Sequence, residues 1–425
     1  MYIPEALKTY GVIISLIVAS FWFASQFIAP TPPKTITLAA GSKGGEYYRY
    51  ATLYKSALAA QGVEVNIIET AGSIDNIELL LQNKTDIAFI QSGLATPETQ
   101  KNIETLSSLY YEPIWVFVRE DVQEDVRSAK DLQRIYGKTV AIGRKGSGTN
   151  ALMRRLLEGS FPKAEVSFVE ISGEKAVSAL QNRAVDAAVF VGRSQSPHIQ
   201  SLLRDKTVHL LSFVRADGYA RLYPFLSKVV LSEGVIDMAE NIPNYDLSLI
   251  SPVAQLTVSK GFSGALKTLL VRTAFQLHGD ADVFAKQRHF PTLEYADFPI
   301  SEEARRYFEY GPNFLQRVLP FWLADLINRM IVMLIPLIGV MIPLLKVAPP
   351  TYRWQTRSKI YKWYKDLKKI EEAAATSKAE DKNMALSFLE KIDEDVKKTK
   401  VPLSYADELY NLRLHIKMIK DRLQK

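Results

Sequence analysis

One pattern of residues occurs twice in this chain, in two successive segments. Each copy starts with a short apolar strand, passes through a glycine-containing loop at 41–45 or 143–149, and enters a helical stretch. Each copy then has a second apolar strand, a helix that closes on Leu-Gln-Asn, and an aspartate, Asp86 or Asp186, that opens a third strand. Strands that alternate with helices predict parallel sheets. The repeat therefore predicts two equivalent α/β lobes with a cleft between them.

The bulk composition excludes several classes of protein. A chain of 425 residues has room for two or three compact units, and the absence of cysteine excludes disulfides and thiolate chemistry. The net charge of +7 arises within residues 346–425, because the rest of the chain is neutral. A nucleic-acid-binding protein would be expected to carry its basic surface on the folded lobes. We therefore expect no nucleic-acid partner.

Two apolar segments predict membrane spans. Residues 10–29 carry no charge and are long enough to cross a bilayer. Bulky aromatic residues near the end of that segment favour an uncleaved anchor over a cleaved signal peptide. The second predicted span is 321–345, whose prolines are tolerated better in membranes than in soluble helices. Asp325 and Arg329 are expected to lie near its outer interface rather than to form a pair that contacts a partner helix inside the membrane.

Lysine and arginine follow the second apolar segment closely, and such an excess marks the cytoplasmic side of a membrane. We therefore expect residues 1–9 and the basic tail, 346–425, to be cytoplasmic. Residues 34–318 would then face the periplasm from a bacterial inner membrane.

The tail itself has two apolar stripes at helical spacing, separated by Pro402. The downstream stripe consists of Leu409, Leu412, Ile416, Ile419 and Leu423, and the upstream stripe lies within 386–396. Such stripes predict a helical hairpin. The hairpin either packs only on itself or binds a cytoplasmic partner, and both interpretations remain open.

The two glycine loops give the predicted cleft its chemistry. A loop that feeds a helix leaves backbone N–H groups unpaired, and the helix dipole adds partial positive charge there. Each loop therefore suits a carboxylate or a phosphate, although neither matches a nucleotide-binding fingerprint. The predicted ligand-binding residues are Ser42, Lys43, Gly44, Gly45, Tyr47, Ser73, Gln91 and Ser92 in the first lobe, and Ser147, Gly148, Thr149, Asn150 and Gly192 in the second.

Some of these positions have alternatives. Lys43 either pairs with an anionic ligand or lies in solvent at the lip of its loop. Asp86 and Asp186 are expected to cap strand starts rather than to bind ligand.

The sequence contains no constellation typical of an enzyme. The five histidines show no metal-ligand spacing, and no serine lies in a nucleophile elbow. The loops place no base beside a nucleophile, as catalytic sites require. We therefore expect a binding protein without a cofactor or a metal.

As a set, the motifs resemble those of the TAXI family of periplasmic solute-binding proteins, the ligand receptors of one branch of TRAP transporters. The matching segments are Gly44-Gly45-x-Tyr47-Tyr48, Glu69-Thr70-x-Gly72-Ser73, Asp86 to Gln91, Leu109-Tyr110-x-Glu112 and Gly146-Ser147-Gly148-Thr149. The chain departs from the family at Lys43, where a small hydroxyl residue is common, and in its two predicted spans.

The resemblance implies a type II periplasmic-binding-protein fold, with two lobes joined by crossing strands near 114–118 and 210–214. One lobe would comprise about 34–114 with 215–300, and the other 115–214. It also implies a small carboxylate ligand, either an organic acid or an amino acid, and sodium-coupled permease subunits as partners.

Three functional hypotheses follow. The leading one is a membrane-anchored solute receptor for TRAP-type uptake. The second is a ligand sensor or assembly protein that signals through the cytoplasmic tail. The third, a remote alternative, is an enzyme on a binding-protein fold.

Overall fold

The computed structural model describes residues 5–26, 30–125, 130–161, 165–376 and 379–424. They belong to two compact units, one of which is Thr31–Asp325. The other consists of Met1–Pro30 together with Leu326–Lys425.

The described strands are β1 (Thr35–Ala39), β2 (Glu64–Ile68), β3 (Ile87–Gln91), β4 (Ile103–Tyr111), β5 (Ile114–Arg119), β6 (Thr139–Ala141), β7 (Ser167–Val169), β8 (Ala187–Val191), β9 (Val208–Leu210), β10 (Ser227–Leu231), β11 (Leu247–Ser251) and β12 (Val253–Ser259). The described α-helices are α1 (Glu5–Ser25), α2 (Glu46–Ala59), α3 (Ser73–Leu81), α4 (Glu120–Asp125), α5 (Gly148–Ser160), α6 (Glu174–Gln181), α7 (Pro197–Leu203), α8 (Ala216–Leu222), α9 (Gly264–Leu277), α10 (Glu302–Tyr310), α11 (Phe314–Val318), α12 (Phe321–Thr376), α13 (Ala379–Lys398) and α14 (Ala406–Leu423).

The first lobe is built on a sheet with the strand order β2-β1-β3-β12-β4. Strand β1 pairs in parallel with β2 and β3, whereas β12 runs antiparallel to β3 and β4. Every residue of β3 is buried, which explains its continuous apolar run. Helices α2, α3 and α9 pack against this sheet.

The second lobe has an equivalent sheet, with the order β7-β6-β8-β5-β9. Strands β6, β7 and β8 are parallel, and β5 runs antiparallel to β8 and β9. The antiparallel strand next to the third repeat strand is β12 in the first lobe and β5 in the second. The prediction of two equivalent α/β lobes is confirmed.

The equivalence extends to single hydrogen bonds. The Asp86 carboxylate accepts from the backbone N–H of Thr37 (2.7 Å), and that of Asp186 accepts from the N–H of Thr139 (2.8 Å). Each aspartate therefore ties the start of the third repeat strand to the first. Both aspartates act as strand-start caps, as predicted.

The chain passes between the sheets twice. Strand β4 ends in the first sheet at Tyr111, and β5 pairs with β8 from Ile114 onward, so the first crossing lies at 112–113. This is slightly earlier than the predicted crossing. On the return, Leu211 N–H donates to Val116 in the second lobe, whereas Phe213 N–H donates to Ser248 of β11.

The other unit contains a small helical core. It is formed by residues of α12, α13 and α14: Ile360, Leu367, Leu389, Ile392, Val396, Leu412, Ile416 and Ile419. The predicted hairpin is present as α13 and α14, with Pro402 between them. It packs on α12 as well as on itself.

Among the described residues, no helix is long and apolar enough to cross a membrane. The structure therefore does not support the predicted spans at 10–29 and 321–345, and residues 27–29 lie outside the described part of the chain. In the second segment, Asp325 and Arg329 shorten the charge-free part.

Candidate functional site

The first glycine loop leads into α2 with an open helix start. Gly45 is the N-cap residue, and no side chain caps the N–H groups of the first turn. Gly44 has a φ of +88°, in the region that favours glycine. Uncapped N–H groups at the start of a helix suit an anion.

The second loop leads into α5, and here the sequence supplies its own cap. The Ser147 hydroxyl accepts from the N–H of Asn150 (3.2 Å) and donates to the carbonyl of Arg144 (2.7 Å). This hydroxyl is therefore occupied within its own loop.

The two lobes touch where the second glycine loop meets the start of α3. The Ile74 N–H donates to the Gly146 carbonyl (3.1 Å). A Cβ on Gly72 would lie 3.2 Å from Ser147 Cα, and a Cβ on Gly146 would overlap the Asp75 carboxylate. The close approach of the lobes therefore depends on glycine at both positions.

A cluster of buried polar groups, termed the polar pocket, lies beside this contact and consists of Ser73, Gln91, Tyr47 and Glu112. The Gln91 N–H donates to the Ser73 hydroxyl (3.0 Å), and both residues are almost fully buried. A Cβ on Gly148 of the second lobe would lie 2.7 Å from Gln91 Oε1 and 3.0 Å from Ser73 Oγ. Gln91 Nε2 is buried and has no hydrogen-bond partner among the described residues. An unpaired buried donor costs about 1–3 kcal/mol, so its presence indicates a missing acceptor.

Tyr47 and Glu112 complete the polar pocket. The Tyr47 hydroxyl donates to Glu112 Oε2 (2.9 Å). Burial raises the pKa of Glu112 to about 8, although the Tyr47 hydrogen bond opposes this and Glu46 adds to it. Burial also raises the pKa of Tyr47, and the Glu112 carboxyl raises it further. At neutral pH the pair is therefore mostly uncharged.

An open cleft of about 620 Å³ adjoins this pocket and is lined by both lobes. Its lining residues are Gly44, Gly45, Glu46, Tyr48 and Arg49 from the first lobe, and Arg193, Gln195 and Pro197 from the second. A volume of this size suits a small organic ligand.

Arg193 crosses from the second lobe to the first. Its Nη1 donates to the Tyr50 hydroxyl, and its Nη2 lies 3.4 Å from Asp282 Oδ2. The guanidinium also lies over the Tyr110 ring, 5.5 Å from its centroid. Arg193 therefore helps to hold the lobes together.

An aromatic cluster supports the Tyr50 side of this contact. The His278 ring stacks on Tyr50 and Tyr110, with centroids 4.2 and 5.6 Å away. Burial lowers the pKa of His278, and Arg193 and Arg49 lower it further, so the ring is neutral.

The structure brings four of the predicted residues, Tyr47, Ser73, Gln91 and Gly148, into one pocket, and it places Gly44 and Gly45 on the adjoining cleft. Ser42 accepts the Gly45 N–H through its carbonyl (2.9 Å). Thr149 is half-buried beside Gly143.

Other predicted residues are engaged in structural contacts. Lys43 is exposed and lies 3.7 Å from Glu69. The Ser92 hydroxyl donates to Phe225 and accepts from Val253, and the Asn150 amide donates to the Gly143 carbonyl. The Gly192 carbonyl accepts from Trp115 Nε1 (2.8 Å).

The sequence prediction omitted several groups that line the site. Arg49 directly follows the Gly44-Gly45-x-Tyr47-Tyr48 motif and Arg193 follows Gly192, but only the folded chain shows that the two arginines share a cleft. Glu112 belongs to one of the motifs quoted above, but nothing in its spacing indicated that it is buried. Among the described residues, no group of three or more His, Cys, Asp or Glu side chains could hold a metal.

Comparisons with known proteins identify a family. A profile of the NMT1-like family matches residues 38–275. No curated protein is similar enough to this chain to count as a match.

Several solved structures are similar at low identity. A protein of Bordetella bronchiseptica RB50 is 17% identical with a TM-score of 0.44, and the match covers 67% of this chain and 100% of that one. A histidine kinase sensor domain with similarity to periplasmic binding proteins is 15% identical with a TM-score of 0.37, covering 57% and 90%. A substrate-binding protein of an amino acid ABC transporter is 16% identical with a TM-score of 0.36, covering 57% and 92%.

Proposed function

The chain belongs to the NMT1-like family, and we propose that its two-lobed unit captures a small organic acid between the lobes. The observation that carries this proposal is the buried Gln91 amide, whose Nε2 has no acceptor in the described part of the protein. The Oε1 of the same amide lies next to Ser73 and Gly148 at the contact between the lobes. A ligand carboxylate would supply the missing acceptor.

A further feature suits a carboxylate. The uncapped start of α2 presents N–H groups with partial positive charge to the adjoining cleft. Hydrogen bonds to a charged group in a water-excluded site are stronger than neutral ones.

Closure of the lobes completes the proposed site. The groups that would surround the ligand come from both lobes, and only two short segments connect them. We propose a hinge motion at these segments, in which the ligand stabilises the closed form. The contacts of Gly146 with Ile74 and of Arg193 with Asp282 are then contacts of the closed state.

The test is isothermal titration of the full chain with a panel of organic acids and amino acids. Gln91→Leu should weaken the tightest ligand at least about tenfold, because a hydrogen bond to a charged group contributes roughly 1.5–3 kcal/mol. The same variant should fold at least as stably as the parent without ligand, since it removes an unpaired buried amide. Gln82→Leu makes the same change on the exposed end of α3 and should alter neither property. The proposal fails if no acid binds, or if Gln91→Leu binds like the parent.

We also propose the finer assignment that the sequence favoured, a TAXI-type receptor that delivers its ligand to TRAP permease subunits. We propose in addition that it is anchored in the bacterial inner membrane, with residues 34–318 facing the periplasm. Its support is the motif set and the basic residues after 345. Fractionation with protease treatment of spheroplasts tests the location. Recovery of the intact chain in the soluble fraction would contradict the anchor.

A sensor is the second candidate, favoured by the helical core of α12, α13 and α14, which an uptake receptor does not need. Deleting 346–425 separates the two: uptake should survive under the receptor model, and a ligand-dependent response should fail under the sensor model. We propose binding without catalysis in either case, and NMR spectra of the ligand after prolonged incubation should show no product.

A further inference from the structure

We infer that Glu112 selects ligands that carry a protonated amine in addition to their acid group. This inference rests on the proposed function, since it assigns a role to a residue of the same pocket.

Glu112 is only 4% exposed, and no cation in the described part of the chain shifts its pKa. The groups that shift its pKa are the protein interior, the Tyr47 hydroxyl and the Glu46 carboxyl, none of which is positively charged. Buried carboxyls in proteins are normally paired with a cation or neutralised. Here the carboxyl contacts Tyr47, one of the predicted ligand-binding residues.

The carboxyl is held in a fixed orientation. Its Oε2 accepts from the Tyr47 hydroxyl (2.9 Å), and its backbone N–H donates to the Pro252 carbonyl (2.9 Å). Oε1 forms no hydrogen bond within the described residues and is left for another donor. Ser73 forms a hydrogen bond with the same Tyr47 hydroxyl and accepts from the backbone N–H of Gln91. Glu112 and Gln91 therefore lie on the two sides of Tyr47 and Ser73.

The two sides offer complementary chemistry. Gln91 Nε2 donates a hydrogen bond and suits a carboxylate, whereas the free oxygen of Glu112 accepts one and suits an ammonium group. An ammonium ion next to Glu112 would favour the ionised carboxylate and lower its pKa. The proton on Glu112 then leaves to solvent as the amine binds, while the ammonium keeps its own protons.

The titratable groups that face Glu112 are Glu46 and Tyr47 on α2 and Tyr110 on β4. The two tyrosines are buried and their pKa values are raised, so they stay neutral at pH 7. Glu46 is paired with Arg49 (2.9 Å). Glu112 is therefore the group that changes protonation when an amine arrives.

The test compares acids that differ only in an amino group, by titration calorimetry on the full chain at pH 7. Suitable pairs are glutamate with glutarate, alanine with propionate, and γ-aminobutyrate with butyrate. In the pair that binds most tightly, the acid that carries the amino group should bind at least about tenfold more tightly than the acid that lacks it. The reason is that the buried Glu112 carboxylate is costly when no ammonium group pairs with it. Glu112→Gln should reduce this preference below about threefold. Glu78→Gln, an exposed change on α3, should keep the preference.

Proton release gives an independent readout. Titrations in buffers of different ionisation enthalpy should show that binding of the amino acid of the pair releases nearly one proton from the protein. The reason is that the pKa of Glu112 is about 8 in the free protein. The amine-free acid should release none, and Glu112→Gln should abolish the release. If acids bind but the amino group changes neither affinity nor proton release, the inference on Glu112 is wrong and the proposed function stands. If no acid binds, the proposed function itself is wrong.

Discussion

A methyl group at Gly146 should keep the lobes apart. Gly146 lies in the second lobe with a φ of +86°, and its Cβ would overlap the Asp75 carboxylate and lie 3.2 Å from Ala71 Cβ in the first lobe. Gly146→Ala therefore has two effects. One is local backbone strain, which is present whether the lobes are open or closed. The other is the overlap with Asp75, which exists only when they are closed.

The magnitude of the second effect follows from what holds Asp75. Its Oδ2 accepts from the Ala71 N–H (2.9 Å), so moving the carboxylate away breaks this hydrogen bond. A hydrogen bond to a charged group contributes about 1.5–3 kcal/mol. If closure loses that amount, the affinity for ligand falls roughly 10- to 150-fold. The backbone strain lowers the free energy of unfolding by about 1–2 kcal/mol in addition.

Gly137→Ala is the matched control. Gly137 has a φ of +68° in the same lobe, and no atom lies within 4 Å of a Cβ built on it. It should lose similar folding stability in a urea titration but bind the tightest acid as well as the parent does by calorimetry. Equal affinities for Gly146→Ala and Gly137→Ala would show that binding does not require the closed arrangement.

Three other results are expected. The pKa of Glu112 is about 8 in the folded protein and exceeds its ordinary value of 4.5, so the folded state holds more protons between these pH values. The free energy of unfolding should therefore fall as pH rises through this window, by up to about 1.4 kcal/mol per pH unit. Urea titrations at several pH values should show that Glu112→Gln loses this dependence. Arg193→Gln removes the contacts with Tyr50 and Asp282 and should weaken ligand binding. Arg154→Gln, whose guanidinium is 3.0 Å from Glu170 within the second lobe, should not, and equal binding constants for the two variants would contradict the role of Arg193. Ile416 is 2% exposed, and Ile416→Ala should destabilise the helical core by about 2–5 kcal/mol. Leu414 is 47% exposed, and Leu414→Ala should destabilise it by less than about 0.5 kcal/mol. Hydrogen exchange of α13 and α14 measures both effects.

The lobes were predictable because their signals are local. Apolar strands, glycine loops and the aspartates at strand starts recur at corresponding places in each copy, so the pattern specified both sheets and both helix starts. The apolar stripe of α14 was predictable for the same reason, since helical spacing places Leu412, Ile416 and Ile419 on one face. The packing of α12 on the hairpin was not predicted, although Ile360, Leu367 and Ile370 of α12 follow the same helical spacing.

The site was predictable only in part, because its groups come from distant segments of the chain. The glycine loops indicated where a ligand would lie, but the contact of Gly146 with Asp75 joins two lobes and leaves no trace in local spacing. A single carboxylate such as Glu112 looks like any surface glutamate until its burial is known. Conversely, Ser92 and Asn150 have residue types suited to ligand binding, yet backbone groups of the fold occupy their hydrogen bonds.

A crystal structure of the chain with the tightest acid from the panel tests the central claim most directly. We expect the ligand carboxylate within hydrogen-bond distance of Gln91 Nε2, enclosed between Ser73 of the first lobe and Gly148 of the second. A ligand bound to one lobe alone, or at any place away from the Gln91 amide, would contradict the account.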